Sequence, residues 1–160
     1  HCGYLHSYNS SQITISGGSV GDNSVNGNLV SYDNSQITIS GGSVGYDLHA
    51  LDNSQITISG GSIGGKFYVG FDIDDNSILT VLGKDFAING NSVDYGEYNT
   101  MGRDWFYGTL TGILASGDLI NNDFEISRDS KLILAPIPEP ATILLLGLGV
   151  LIWLAGSKVR

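Results

Sequence analysis

Few residues in this chain have types and spacings that could do chemistry. Asp72, Asp74 and Asp75 crowd into one short stretch, a density of carboxylates suited to a calcium ion or to an acid and base pair. The bland reading is the stronger one. The run Asp-x-Asp-Asp-Asn precedes a strand at the position where Asp33-Asn34 and Asp52-Asn53 serve as turn residues. A lyase would also want a basic side chain beside its acids, and the repeated region offers only Lys66 and Lys84. His1, Cys2 and His6 gather metal-ligating types at the start of the chain, but one cysteine builds neither an internal disulfide nor a zinc site alone. These residues predict no catalytic group, no metal and no cofactor: the chain reads as a non-enzyme.

A different kind of pattern holds the remaining polar side chains. Gln55-Ile56-Thr57-Ile58-Ser59-Gly60-Gly61 has near-copies beginning at Gln12 and Gln36, and a degraded copy opens at Asn76. Counted from Ser10 to Asn34, Asn53 and Asn76, the spacings are 24, 19 and 23 residues. That is the range in which one repeat is one supersecondary unit stacked on its neighbours. Within each copy isoleucine alternates with polar residues, which turns Ile13, Ile15, Ile37, Ile39, Ile56 and Ile58 inward. Facing outward are rows of Gln12, Gln36 and Gln55, then Thr14, Thr38, Thr57 and Thr80, with Ser16, Ser40 and Ser59 beside them.

The elements that position such rows are strands. β-Branched Ile and Thr suit a pleated, half-buried surface, and each Gly-Gly pair ends a strand by allowing backbone angles closed to other residues. Hairpins joined at Gly-Gly would show the same alternation. Parallel stacking, however, puts identical side chain over identical side chain, whereas antiparallel pairing scrambles the rows. The fold expected is all-β: a single-stranded parallel β-helix, of right-handed form because its coils are unequal rather than strictly six-residue periodic. It occupies residues 1–84. Phe67, Val69, Phe71 and Ile73 are further inward candidates, and Leu79 and Val81 replace the paired isoleucines in the fourth copy.

Beyond Gly83 the repeat fades. Residues 85–135 read as a loop-rich transition followed by a β-rich cap, in which Trp105–Leu114 and Lys131–Leu134 are strands. A solenoid needs such a segment to cover its open edge. The run Gly108–Gly117 resembles the closing segment of exported bacterial β-helix proteins. At the other end, Gly3-Tyr4-Leu5-His6 resembles Gly45-Tyr46-Asp47-Leu48-His49, so the chain starts inside a coil and reads as the C-terminal part of a longer protein.

Charge narrows the partners. The formal net charge is −9, with 7 basic residues, so the chain lacks the basic footprint that a nucleic-acid backbone requires. Residues 136–160 are of another composition: a proline-rich linker, an uncharged apolar run over 141–156 predicted as one transmembrane helix, then Lys158 and Arg160. Those basic residues flank the membrane on its cytoplasmic side by the positive-inside rule, leaving the β domain outside.

Pro138-Glu139-Pro140, the apolar run and the basic end resemble the PEP-CTERM sorting signal of exported bacterial proteins. The resemblance implies recognition by exosortase, a membrane transpeptidase, and passage from the inner membrane to the cell surface or the extracellular matrix, in a structural or adhesive role. The same tail has been labelled as the C-terminal region of ice-binding proteins. Two alternatives follow for the Gln and Thr rows, contact with an extracellular polysaccharide or with ice, although ice faces usually carry two threonine rows.

Overall fold

The computed structural model describes residues 3–21, 27–70 and 75–138. Every regular element among them is a strand. The three full copies become β2 (Gln12–Val20), β4 (Gln36–Val44) and β6 (Gln55–Ile63), and the degraded copy becomes β8 (Ile78–Ile88). Short strands precede or separate them: β1 (Leu5–Ser7), β3 (Leu29–Ser31), β5 (Leu48–Ala50) and β7 (Phe67–Val69).

Long strands pair with long strands and short with short, in parallel. Ile13, Ile37, Ile56 and Leu79 share one row, and Ile15, Ile39, Ile58 and Val81 another. On the short side Leu5, Leu29, Leu48 and Phe67 stand in register. One hydrophobic cluster unites the two sides, with Ile37, Ile39, Ile56, Ile58 and Leu48 each only 1% exposed.

Two local devices hold the corners. Asn9, Asp33 and Asp52 take positive φ (60°, 56° and 59°), a conformation that Asn and Asp tolerate better than most residues. The first two amides find the carboxylate of the next copy: Asn9 N–H donates to Asp33 Oδ2 at 2.7 Å and Asp33 N–H to Asp52 Oδ2 at 2.9 Å. A second ladder precedes the short strands, where Asp47 N–H donates to Asn28 Oδ1 and Lys66 N–H to Asp47 Oδ1. The bend within each long strand falls at Gly18, Gly42 and Gly61, all with positive φ. A Cβ on Gly42 would lie 2.7 Å from Gly18 O, and one on Gly61 2.7 Å from Gly42 O, so successive bends nest backbone against backbone.

The remaining strands close the sheet. A hairpin of β11 (Trp105–Leu114) and β12 (Leu119–Ser127) bridges the two sides: β12 pairs in parallel with β7, and β11 antiparallel with β8. The sheet therefore runs β1-β3-β5-β7-β12-β11-β8-β6-β4-β2, nearly closed on itself, with β1 and β2 as its two ends. β13 (Lys131–Pro136) adds in parallel to β8, Leu132 on Leu79 and Leu134 on Val81, and β10 (Gly96–Tyr98) covers β13 antiparallel. A two-residue strand, β9 (Asn91–Ser92), pairs with β8.

The structure refines the expected organisation in two places. Residue 84, expected to divide repeats from cap, lies inside β8, and Asp85–Ile88, expected as loop, continues that strand, since Phe86 and Ile88 have apolar core to enter. Lys131–Leu134, expected as part of a separate cap, extends the row of long strands instead. No helix among the described residues is long and apolar enough to cross a membrane; the helix expected over 141–156 lies outside the described residues.

Candidate functional site

The outward Gln and Thr rows are in register. Gln12, Gln36 and Gln55 pair across the sheet and are exposed, and Ile78 follows them in the row. Thr14, Thr38, Thr57 and Thr80 form the neighbouring row, the first two exposed and the last two half-buried. The serines do not continue the pattern. The register slips at the bend, setting Ser16 opposite Gly41 and Ser40 opposite Gly60, and Ser59 Oγ donates to Ile39 O at 3.3 Å. This face is a shallow array of amides and hydroxyls with one regular threonine row.

The acidic residues at 72 and 74 lie outside the described residues, as do His1 and Cys2. Asp75 is buried, and its carbonyl oxygen accepts from Ser130 Oγ at 2.9 Å. His6 bonds through Nδ1 to the Tyr8 hydroxyl at 2.8 Å. Among the described residues no group of three His, Cys, Asp or Glu side chains is placed to hold a metal ion.

A second surface, which the repeat pattern does not announce, lies where the hairpin meets the last short strand. Along β11 the side chains alternate: Leu110 and Leu114 enter the core, while Trp105, Tyr107 and Thr109 turn outward. On β12, Ile120, Phe124 and Ile126 are buried and Asn121, Asp123 and Glu125 turn outward. Register then sets Tyr107 beside Glu125 and Glu125 beside Tyr68 of β7.

Two adjoining clefts open on this surface. One, of about 320 Å³, is lined by Lys66, Asn89, Tyr107, Thr109, Asp123 and Glu125. The other, of about 290 Å³, lies along Gly64, Gly65, Lys66 and Asn121 to Asp123, so Lys66 and Asp123 belong to both. Lys66 Nζ stands 3.5 Å from Glu125 Oε1, and the nearby Tyr68 hydroxyl and Glu125 carboxylate hold its ammonium above the ordinary lysine value. Thr109 Oγ1 donates to Asp123 Oδ1 at 2.7 Å, and Asn89 Oδ1 accepts from Thr109 N–H. Beneath them Asn122 Nδ2 donates to Ile63 O and Gly65 O at 2.9 and 2.7 Å, fixing the hairpin to the turn that precedes β7.

Rings continue from here along the short strands. Tyr68 stacks on His49 at 4.7 Å and 15°, and Tyr8 on Tyr32 at 4.8 Å and 3°. Burial pushes the His49 imidazole below the ordinary histidine value, opposed by Asp47 and reinforced by His6. Tyr68 is pushed up, mainly by burial and then by Asp47 and Glu125. The sequence did carry one signal of this surface, the matched placement of His6 and His49 in two copies. The groove itself had none, because it is built from the turn before β7, the residue after β8 and a hairpin that does not repeat.

Of the tail, Pro138 is the last described residue, two positions beyond the end of β13, while Glu139, Pro140, Lys158 and Arg160 lie outside the described residues. Residues 136–160 match the PEP-CTERM protein-sorting motif. The motif implies recognition by exosortase and export to the cell envelope or surface. No curated protein and no solved structure matches the chain.

Proposed function

We propose that this chain is an exported, non-enzymatic structural or adhesive protein, whose β domain is a right-handed parallel β-helix delivered to the cell surface or the extracellular matrix. The observation that carries the reading is the sorting motif at residues 136–160, which begins where β13 ends. In-register parallel stacking of the copies supports a β-helix, since each copy adds one long and one short strand to the same two rows. The uncharged run over 141–156 holds the precursor in the inner membrane with Lys158 and Arg160 inside, and processing near Pro138 frees the β domain.

In a host carrying exosortase, mass spectrometry of the surface protein should give a C-terminus close to Pro138 and no peptides from Leu144 to Leu154. Deletion of the exosortase, or Glu139→Ala, should leave the precursor in the membrane. Recovery of the intact chain through Arg160 from the surface of an exosortase-positive cell would make the tail an ordinary anchor. Hydrolysis or elimination on pectin or alginate by the purified protein would overturn the non-enzymatic reading.

A further inference from the structure

The outward face of the hairpin carries a set of groups that fold stability does not require. Tyr107 is 56% exposed, and its ring lies 6.5 Å from that of Trp105 at an interplanar angle of 22°. An aromatic ring left in water beside a cleft costs solubility and gains no core. Around it stand acceptors and donors in roughly equal measure. Asp123 and Glu125 present carboxylate oxygens, Lys66 an ammonium, and Asn89, whose Oδ1 is taken by the Thr109 amide, presents Nδ2 as a donor.

We propose that the two adjoining clefts form one binding groove for an uncharged polysaccharide, with sugar rings packing on Tyr107 and their hydroxyls bonded by Asp123, Glu125, Lys66 and Asn89. A sugar ring has an apolar face of C–H groups and a rim of hydroxyls. The negative face of an aromatic ring attracts the first, and paired donors and acceptors satisfy the second. The groove's electrostatics select the charge class: its one cation is 3.5 Å from Glu125, and Asp123 leaves the site net negative within a protein of formal charge −9. An anionic polymer, whether uronate or nucleic acid, is repelled there. A polymer fits better than a free sugar because the clefts continue one another across Lys66 and Asp123, giving successive units adjacent places. The inference rests on the exported reading only for where such a polymer is met.

The test uses the full chain in mild detergent, retained on or retarded by cellulose, curdlan, chitin and, as the anionic control, alginate. At least one uncharged polymer should bind, Tyr107→Ala and Asp123→Asn should each weaken retention about tenfold, Tyr107→Trp should preserve it, and Thr38→Ala on the repeated face should leave it unchanged. All three positions are solvent-facing, so thermal melting of the variants should match the parent and confirms that folding is not what changed. No retention on any uncharged polymer, equal retention by parent and Tyr107→Ala, preference for alginate, or loss with Thr38→Ala would each overturn the proposal. Because purified glycans need no export, failure here is distinct from failure of the sorting experiment, which reads cleavage in cells.

Discussion

The face built by repetition and the face built by the hairpin differ in what their residues are for. On the first, Gln12, Gln36 and Gln55, then Thr14, Thr38 and Thr57, recur at each of the three full copies and stack in register. Yet what the repetition secures lies beneath and beside them: buried isoleucines, glycine bends nested on each other, and Asp carboxylates capping the turn of the adjacent copy. On the second, Tyr107, Asp123, Glu125 and Lys66 occur once each in their arrangement, and they line clefts. Repetition in this molecule marks a demand of backbone and core, while diversity of side-chain chemistry gathers where the repeat stops.

The comparison breaks first at the core. Ile39→Ala should cost about 2–5 kcal/mol and Thr38→Ala within about 0.5 kcal/mol, because only the former opens a cavity. Equal shifts in a denaturant titration would mean that the repeated face is held by its surface rather than by its interior. Gly42→Ala comes next, at about 1–3 kcal/mol, since the residue has φ 81° and backbone 2.7 Å from any added Cβ. Gly102, also at positive φ but with nothing near an added Cβ, should tolerate alanine better in the same titration.

A smaller effect separates two buried serines. Ser31 Oγ and Ser35 Oγ lie 2.7 Å apart, as do those of Ser7 and Ser11, but the third copy has Ala50 where Ser31 stood. Ser54 Oγ is in consequence buried with no partner, the one such side-chain atom among the described residues. Ser35→Ala should cost about 1 kcal/mol, whereas Ser54→Ala should be neutral or slightly stabilising, and Ala50→Ser should supply the missing partner. Thermal melts of the three variants read the order directly.

The smallest effect is electrostatic and belongs to the short strands. His49 has its pKa lowered by burial, so the unfolded chain takes up a proton first as pH falls below about 6.5. The stability associated with the neutral ring is present above that value and is lost as pH falls through the lower folded-state pKa. Melting temperature should therefore drop on acidification from about pH 7 to 5, and less so in His49→Gln. An identical profile for the two proteins would show that Tyr68 and Asn28 hold the ring equally well in either protonation state.

Much of the fold was legible because its signals are short-range. Alternation in Gln55–Ser59 set the strand and its buried face, and Asp33 and Asp52 read as turn residues, which the positive φ values bear out; the Gly-Gly pairs, expected to end the strands, instead bend strands that run on through them. The repeat spacing established which segments had to stack, and Pro138-Glu139-Pro140 before an apolar run carried the resemblance to a sorting signal, whose motif residues 136–160 match.

What only the tertiary structure decided is non-local. No periodicity could tell that β12 would pair in parallel with β7 while β11 closed on β8, because that choice is made by Phe124 and Leu110 finding space in a core assembled by residues far away in sequence. Likewise β13 joined the row of long strands because Leu132 and Leu134 fit over Leu79 and Val81, a match of side chains across about fifty residues of chain. The groove follows from that assembly. Lys66, Tyr107 and Asp123 are unremarkable in sequence, and they share a cleft because closing the sheet brings one short strand against a hairpin whose outward side chains have no further strand to cover them.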